Sequence, residues 1–326
     1  MLNDLFRPKK LSEVCGQSFV VDTLQNKLNT NTVPHAMLFV GHAGCSKTTL
    51  ARIMSKETNS HTLEFDAASN NSVEAVRCVI NNCRVKPLGY SNHFVIIDEP
   101  QRFSKQSWDT LLKTIEEPPS FVYFAFCTTE EDKIPSTIKS RCETFRINPI
   151  AESDIFDRLM FICNTQKFNY QEDALQIIAK NSDNSMRQAI SNLELASASQ
   201  PITAKLVCDK LFKFTYNTMM NIIYSYLDKD YNTLIDTIYN LDNAGKFSQE
   251  LFTFILDLNI YFKTKKFSLT KIPEPMYNSI KELNKSEQDI IKSMMDKLYE
   301  LQLEARNNNP IIKELMIASL LRGSSC

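Results

Sequence analysis

The sequence predicts an α/β protein: a five-stranded parallel sheet in the first half, followed by helices alone. Three observations carry this. Between residues 36 and 147, short apolar runs alternate with amphipathic helical patterns. The runs are continuously apolar rather than alternating, which suits strands covered on both faces. Past Pro149 no further strand pattern occurs.

The elements follow in order. AMLFV (36–40) reads as a buried strand and 47–58 as a helix. TLEF (62–65) is a second strand. Residues 72–82 form a helix with Val73, Val76 and Ile80 on one face. HFVIID (93–98) is the third strand. The helix at 104–117 is stopped by Pro118 and Pro119. FVYFAFC (121–127) is the fourth strand and ETFRI (143–147) a shorter fifth. Three short helices are expected at 152–164, 172–181 and 185–197, then an all-helical block from 207 onward, interrupted by a loop at KIPEPMYNS (271–279). The predicted domains are therefore 1–150, 151–206 and 207–326.

Composition narrows the function classes. The 326 residues suit two or three domains. A net charge of −1 gives no global basic field, so any nucleic-acid contact must come from a local face or one assembled from several subunits. The nine cysteines include no C-x-x-C pair and read as reduced thiols of a cytoplasmic protein. Cys78 and Cys83 read as helix-face residues, and no zinc is expected. The N-terminus lacks the apolar core of a signal peptide, and the most apolar run has strand length, so no membrane partner is expected.

Two motifs carry chemistry. The first strand runs directly into GHAGCSKTT (41–49), which opens a helix. This is the setting of a phosphate loop, G-x-x-x-x-G-K-[ST]. Backbone N–H groups and the helix N-terminus face phosphates, Lys47 reaches the terminal ones, and Thr48 is a candidate Mg²⁺ ligand. The candidate cradle is Gly41, Gly44, Cys45, Ser46, Lys47, Thr48 and Thr49. Ser46 replaces the second glycine of the pattern. If its φ is positive the cost is about 1–2 kcal/mol, but its backbone N–H donor is kept. In the second motif, the strand HFVIID ends in Asp98 and Glu99. Asp98 is a candidate Mg²⁺ ligand and Glu99 a candidate to polarise an attacking water. Pro100 biases Glu99 toward extended backbone. His35 reads as a packing or hydrogen-bonded residue and Trp108 as core.

Taken with LFRPKKLSEVCGQ (5–17), EFDAASNNSVEAVR (64–77), the stretch 95–129, KIPSTIKSRCETF (133–145) and NSMRQAISNLELA (184–196), these motifs resemble the AAA+ ATPases. Within them the likeness is to clamp-loader subunits: the bacterial gamma/tau subunit and, next, the replication factor C small subunits. It covers roughly the first 200 residues. The helical remainder resembles the collar domain only in length and pattern.

The resemblance implies a P-loop AAA+ module, a three-helix lid and an oligomerising collar. It implies ATP and Mg²⁺ as ligands and a ring, expected to be pentameric, of like or unlike clamp-loader subunits. Together these open a sliding clamp and load it onto primer–template DNA. By position, Thr129 matches sensor 1 and Arg187 sensor 2. Arg141 matches the arginine finger that acts on a neighbour's nucleotide. Arg7, Pro8 and Val14 match the segment that wraps the adenine. The chain departs from gamma/tau in having no room after its loop helix for a four-cysteine zinc module and in its DEPQ box and Ser46, and no tau-like extension is expected. Arg77, Arg84, Lys86, Arg102 and Lys105 either track DNA phosphates or are ordinary solvated residues; the sequence leaves both open. Two other readings stay in play: a non-hydrolysing structural subunit of the same loader, and a hexameric AAA+ DNA translocase.

Overall fold

The computed structural model describes residues 1–241, 243–266, 269–272, 283–304 and 312–321. Most of the loop expected at 271–279, and Cys326, lie outside them.

Five strands form one sheet: β1 (Ala36–Val40), β2 (Ser60–Asp66), β3 (Asn92–Asp98), β4 (Val122–Thr128) and β5 (Glu143–Arg146). The spatial order is β2-β3-β4-β1-β5 and every pairing is parallel. In register, Leu38 faces Phe126 on one side and Thr144 on the other. β2 starts two residues before TLEF because pairing with β3 extends back to Ser60 opposite Asn92. It is an edge strand, only partly covered, so its outer residues lack the continuous apolar signal.

Fifteen helices accompany the sheet: α1 (Leu2–Leu5), α2 (Ser18–Asn29), α3 (Lys47–Glu57), α4 (Val73–Asn82), α5 (Lys105–Glu116), α6 (Ser136–Lys139), α7 (Glu152–Gln166), α8 (Glu172–Lys180), α9 (Met186–Ser197), α10 (Ala204–Val207), α11 (Lys213–Leu227), α12 (Tyr231–Tyr239), α13 (Ala244–Thr264), α14 (Lys285–Glu304) and α15 (Ile312–Leu321). These are the helices of the described residues. Ser72 and Ser104 are caps rather than first-turn residues. Their hydroxyls accept from the N–H groups of Ala75 and Ser107, at 3.2 and 3.1 Å.

Alternation along the buried strands sorts their side chains onto two cores. Leu38, Val95, Ile97, Phe124 and Phe126 pack with Val76 of α4 and with Trp108, Leu111 and Ile115 of α5. Met37, Phe39, Phe94, Ile96, Ala125 and Cys127 pack with Leu24 of α2 and with Leu50, Ile53 and Met54 of α3. Trp108 is a core residue, as the sequence predicts. His35 stacks on Tyr123 and its Nδ1 bonds the Val122 carbonyl at 2.8 Å, the packing role read from the sequence. The two covering layers hold β1 rigidly, and β1 delivers the phosphate-loop sequence at its C-terminal end.

The chain divides into two compact units: residues 1–168 with 178–195, and residues 169–177 with 196–326. The first holds the sheet and everything described in the next section. The second has an all-helical core that includes Leu234, Ile238, Leu251, Ile255, Leu258, Ile291, Met294, Leu298 and Leu320. No strand occurs after β5 among the described residues.

Candidate functional site

An open cleft of about 870 Å³, part of it solvent, lies at the C-terminal ends of the strands. That is where ligands bind in open parallel sheets. Its floor is the loop between β1 and α3. Gly41 N–H donates to the Thr128 carbonyl at 3.2 Å, tying the loop to β4. A Cβ on Gly41 would sit 2.5 Å from the Ile147 carbonyl oxygen, so only glycine fits. Gly44 has φ +77°, and a Cβ there would meet Ser185 Oγ at 2.0 Å. Cys45 is buried, its thiol donating to the His42 carbonyl at 2.8 Å. Gly41 and Cys45 shape the loop; Gly44, Ser46, Lys47, Thr48 and Thr49 line the cleft.

Ser46 has φ 83° and ψ 15°, the left-handed conformation that the motif's glycine would supply. It precedes α3 without a side-chain capping bond, so its hydroxyl does nothing locally to offset the strain. The turn it makes leaves the first N–H groups of α3 free of helical partners at the cleft.

Lys47 is 6% exposed. Its ammonium donates to the Gly41 and His42 carbonyls, each at 2.8 Å, and among the described residues it makes no ion pair with a carboxylate. Asp98 acts on it through charge without a direct ion pair, and a buried ammonium hydrogen-bonded to neutral carbonyls remains costly unless an anion joins it. Thr48 Oγ1 donates to Asp98 Oδ2 at 3.2 Å, so these two oxygens are adjacent. Burial pushes the Asp98 carboxyl above its ordinary range, and the Thr48 hydrogen bond opposes this. Among the described residues no cluster of three or more His, Cys, Asp or Glu side chains could hold a metal. Mg²⁺ keeps several waters and needs only one or two protein oxygens, so the Thr48–Asp98 pair fits it.

Glu99 departs from the sequence reading. Its backbone is left-handed, φ 51° and ψ 44°, not extended. The reason is local. Glu99 N–H still continues the sheet by donating to the Cys127 carbonyl at 2.9 Å, whereas its own carbonyl accepts from Arg102 N–H at 3.0 Å to close the 3-10 turn Pro100–Arg102. The chain reverses at this one residue, and the turn overrides the proline bias. The Glu99 side chain lines the cleft, and Thr129 Oγ1 bonds its Oε2 at 3.3 Å.

The N-terminal segment and helices α7 and α9 form the remaining walls. Arg7 and Pro8 line the cleft. Val14 does not; it packs against the core that contains Leu11 and Leu24. Three bonds hold the segment: Leu2 N–H to Glu194 Oε1 (3.1 Å), Asn3 Nδ2 to Ser191 Oγ (2.9 Å) and Arg158 Nη2 to the Phe6 carbonyl (2.8 Å). Gln17 clips its far end, donating to the Asn148 carbonyl at 2.7 Å and accepting from Asn148 N–H at 3.1 Å. Arg187 lines the cleft beside Met186 and Ile190 and is exposed. Arg141 lies elsewhere. It is an exposed residue paired with Glu116 at 2.6 Å, and it donates to the Thr137 carbonyl at 2.7 Å.

Several cleft residues had no sequence signal strong enough to single them out. Asn3, Cys15, Ile150, Arg158, Met186 and Ile190 all line it. They come from segments far apart in the chain, and no motif spacing joins them. Gln101 stood out only as a departure in the acidic box.

Parallel order, loop and acidic pair together define a P-loop AAA+ module with a helical C-terminal region. Solved structures share this architecture. The RuvB Holliday junction branch migration motor of Thermotoga maritima is matched with TM-score 0.55 and 20% identity over 68% of this chain and 80% of that one. At that identity the likeness concerns the fold. A family model described as DNA polymerase III, delta subunit matches residues 59–151. The DNA polymerase III subunit gamma of Buchnera aphidicola subsp. Baizongia pistaciae is 31% identical over 271 residues, 73% of each chain. Subunit tau of Bacillus subtilis is 32% identical over 285 residues, 79% of this chain and 50% of its own length. Subunit gamma of Buchnera aphidicola subsp. Schizaphis graminum is 34% identical over 59% of each chain. This chain belongs to the family of DNA polymerase III gamma/tau subunits. It spans about half the length of several of the relatives it matches.

Proposed function

We propose that this protein is an ATP-hydrolysing clamp-loader subunit. The observation that carries the proposal is Lys47: a buried ammonium that makes no direct ion pair with a carboxylate among the described residues, at the N-terminus of α3, in a cleft that also presents Thr48, Asp98 and Glu99. Such a site favours a polyphosphate anion. Family membership supports the nucleoside triphosphate, and the Phe6–Pro8 segment with Ile150, Met186 and Ile190 offers an apolar seat for its base.

In this reading the loop N–H groups and Lys47 hold the phosphates, and Arg7 and Pro8 flank the base. Thr48 and Asp98 would hold a magnesium ion, which would supply positive charge to the phosphate oxygens. Glu99 orients the attacking water and takes its proton. Thr129 hydrogen-bonds the terminal phosphate, and Arg187 reaches the nucleotide from the lid. Arg141 lies outside the cleft, as suits a finger directed at the nucleotide of an adjoining subunit. There a guanidinium on developing phosphate charge contributes about 10³–10⁵ in rate.

Residues 1–150 are the nucleotide-binding domain, 151–206 the lid and 207–326 the collar that joins a ring, pentameric in this reading, of like or unlike subunits. The ring opens a sliding clamp and places it on primer–template DNA in the cytoplasm. No described helix is long and apolar enough to cross a membrane. Lys47, Thr48, Asp98 and Glu99 are all retained, which favours turnover over a purely structural subunit. Turnover of ATP by the purified assembly, with and without sliding clamp and primed DNA, tests the proposal. Stimulation that vanishes in Lys47→Ala supports it; nucleotide binding with no turnover under any condition refutes hydrolysis.

A further inference from the structure

The acidic box contains a side chain that the nucleotide reading leaves unused. Gln101 lies two residues past Glu99, on the 3-10 turn, and is partly buried. Its Nε2 donates to Glu99 Oε2 and, at 3.3 Å, to Thr129 Oγ1. Its Oε1 accepts from Thr128 Oγ1 at 2.7 Å. Thr128 is fully buried at the end of β4, and its oxygen already accepts from Glu130 N–H at 3.0 Å, so its own proton goes to Gln101. The amide orientation follows from chemistry: turned over, Oε1 would face a carboxylate with no proton between them. Glu99 Oε2 therefore gathers two donors, Gln101 and Thr129. Oε1 has no hydrogen-bond partner among the described residues.

We infer that Gln101 is a positioning residue for Glu99. Its carboxamide bridges the rigid end of β4 to the carboxylate, tethers one oxygen and leaves the other to receive a water proton. Because the same Nε2 also bonds Thr129, a change at Thr129 is felt at Glu99 through a single amide. The inference rests on the reading of the cleft as an ATP-hydrolysing site. Glu99 needs this support because it lies on a sharp left-handed turn rather than in the strand. A base misplaced by about 1 Å can lose about 10²-fold in rate.

The test uses the full chain in the assembly in which it purifies. Gln101→Met keeps the shape without the hydrogen bonds, Gln101→Glu replaces the donor with an acceptor, and Gln101→His keeps one ring N–H. Saturating kcat should fall about 10–100-fold in the Met and Glu variants and less in His. KM and the Kd for a non-hydrolysable ATP analogue should stay within about twofold, because Gln101 is not a phosphate ligand. A second readout needs no turnover. In the nucleotide-free chain, selectively labelled with ¹⁵N-glutamine, the Gln101 carboxamide signal should move in Glu99→Ala and stay in place in Glu117→Gln. A Gln101→Met kcat equal to or above wild type, or a carboxamide signal indifferent to Glu99→Ala, overturns the assignment while hydrolysis stands. Wild-type turnover no faster than that of Glu99→Gln overturns the hydrolysis reading and the assignment together.

Discussion

Replacing Ser46 with glycine should stabilise the first unit, and the amount can be worked from one dihedral angle. Ser46 has φ 83°, where a Cβ costs about 1–2 kcal/mol. Its side chain makes no capping bond, so deletion forfeits nothing local. Glycine adds freedom to the unfolded chain, worth about 0.4–1 kcal/mol in the opposite sense. The balance is a gain of about 0–1.6 kcal/mol, centred near 0.8 kcal/mol. For a unit of this size the central value raises Tm by about 2–3 °C. Ser46→Ala keeps the Cβ and should stay within about 0.5 kcal/mol of wild type. The assay is intrinsic fluorescence during denaturation. The chain has one tryptophan, Trp108, buried in the sheet unit, so its signal reports that unit. If Ser46→Gly is no more stable than Ser46→Ala, the strain does not reside in this φ and the explanation of the loop is wrong.

Four further outcomes are expected. Gly44→Ala meets both a positive φ and Ser185 Oγ, so it should lose about 2 kcal/mol or more of stability, read by the same fluorescence. Gln17→Ala removes both bonds to Asn148 and should cost about 1–3 kcal/mol in the same denaturation assay. Arg141→Ala should leave nucleotide affinity within about twofold yet lower turnover of the assembled ring by about 10³-fold, measured by phosphate release. Alkylation of the native chain at pH 8, followed by mass spectrometry, should mark exposed Cys78 before the other cysteines of the described residues. Cys83 and Cys142 should stay unlabelled until unfolding, because burial pushes their thiols up to about 11 and about 12.

The sheet was legible because its central strands are buried on both faces. AMLFV and HFVIID carry nothing polar between their ends, and each leads into a motif with fixed chemistry. α2 went unread: its face rests on Val20 and Leu24, and it opens without a side-chain cap. Lys47, Thr48, Asp98 and Glu99 could be placed in one site because strand ends and loop spacing put them there. The conformation of Glu99 could not be read, since its turn depends on bonds to Cys127 and Arg102 that local preference does not encode. The wall opposite the phosphate loop sequence was hidden for a related reason. Arg158, Ile150 and Met186 reach the cleft only through the packing of segments distant in sequence. The likeness to the RuvB motor shows the limit of fold alone: it is the gamma/tau relatives, matched over longer stretches at higher identity, that select the family.

Calorimetric titration of Mg²⁺-ATP into wild type and Lys47→Ala measures the central claim most directly. Wild type should take up nucleotide in a magnesium-dependent manner, and loss of the buried ammonium should weaken uptake about 100-fold, close to 2.7 kcal/mol. Equal affinity in the two proteins, or no uptake by wild type, would contradict the assignment of the cleft.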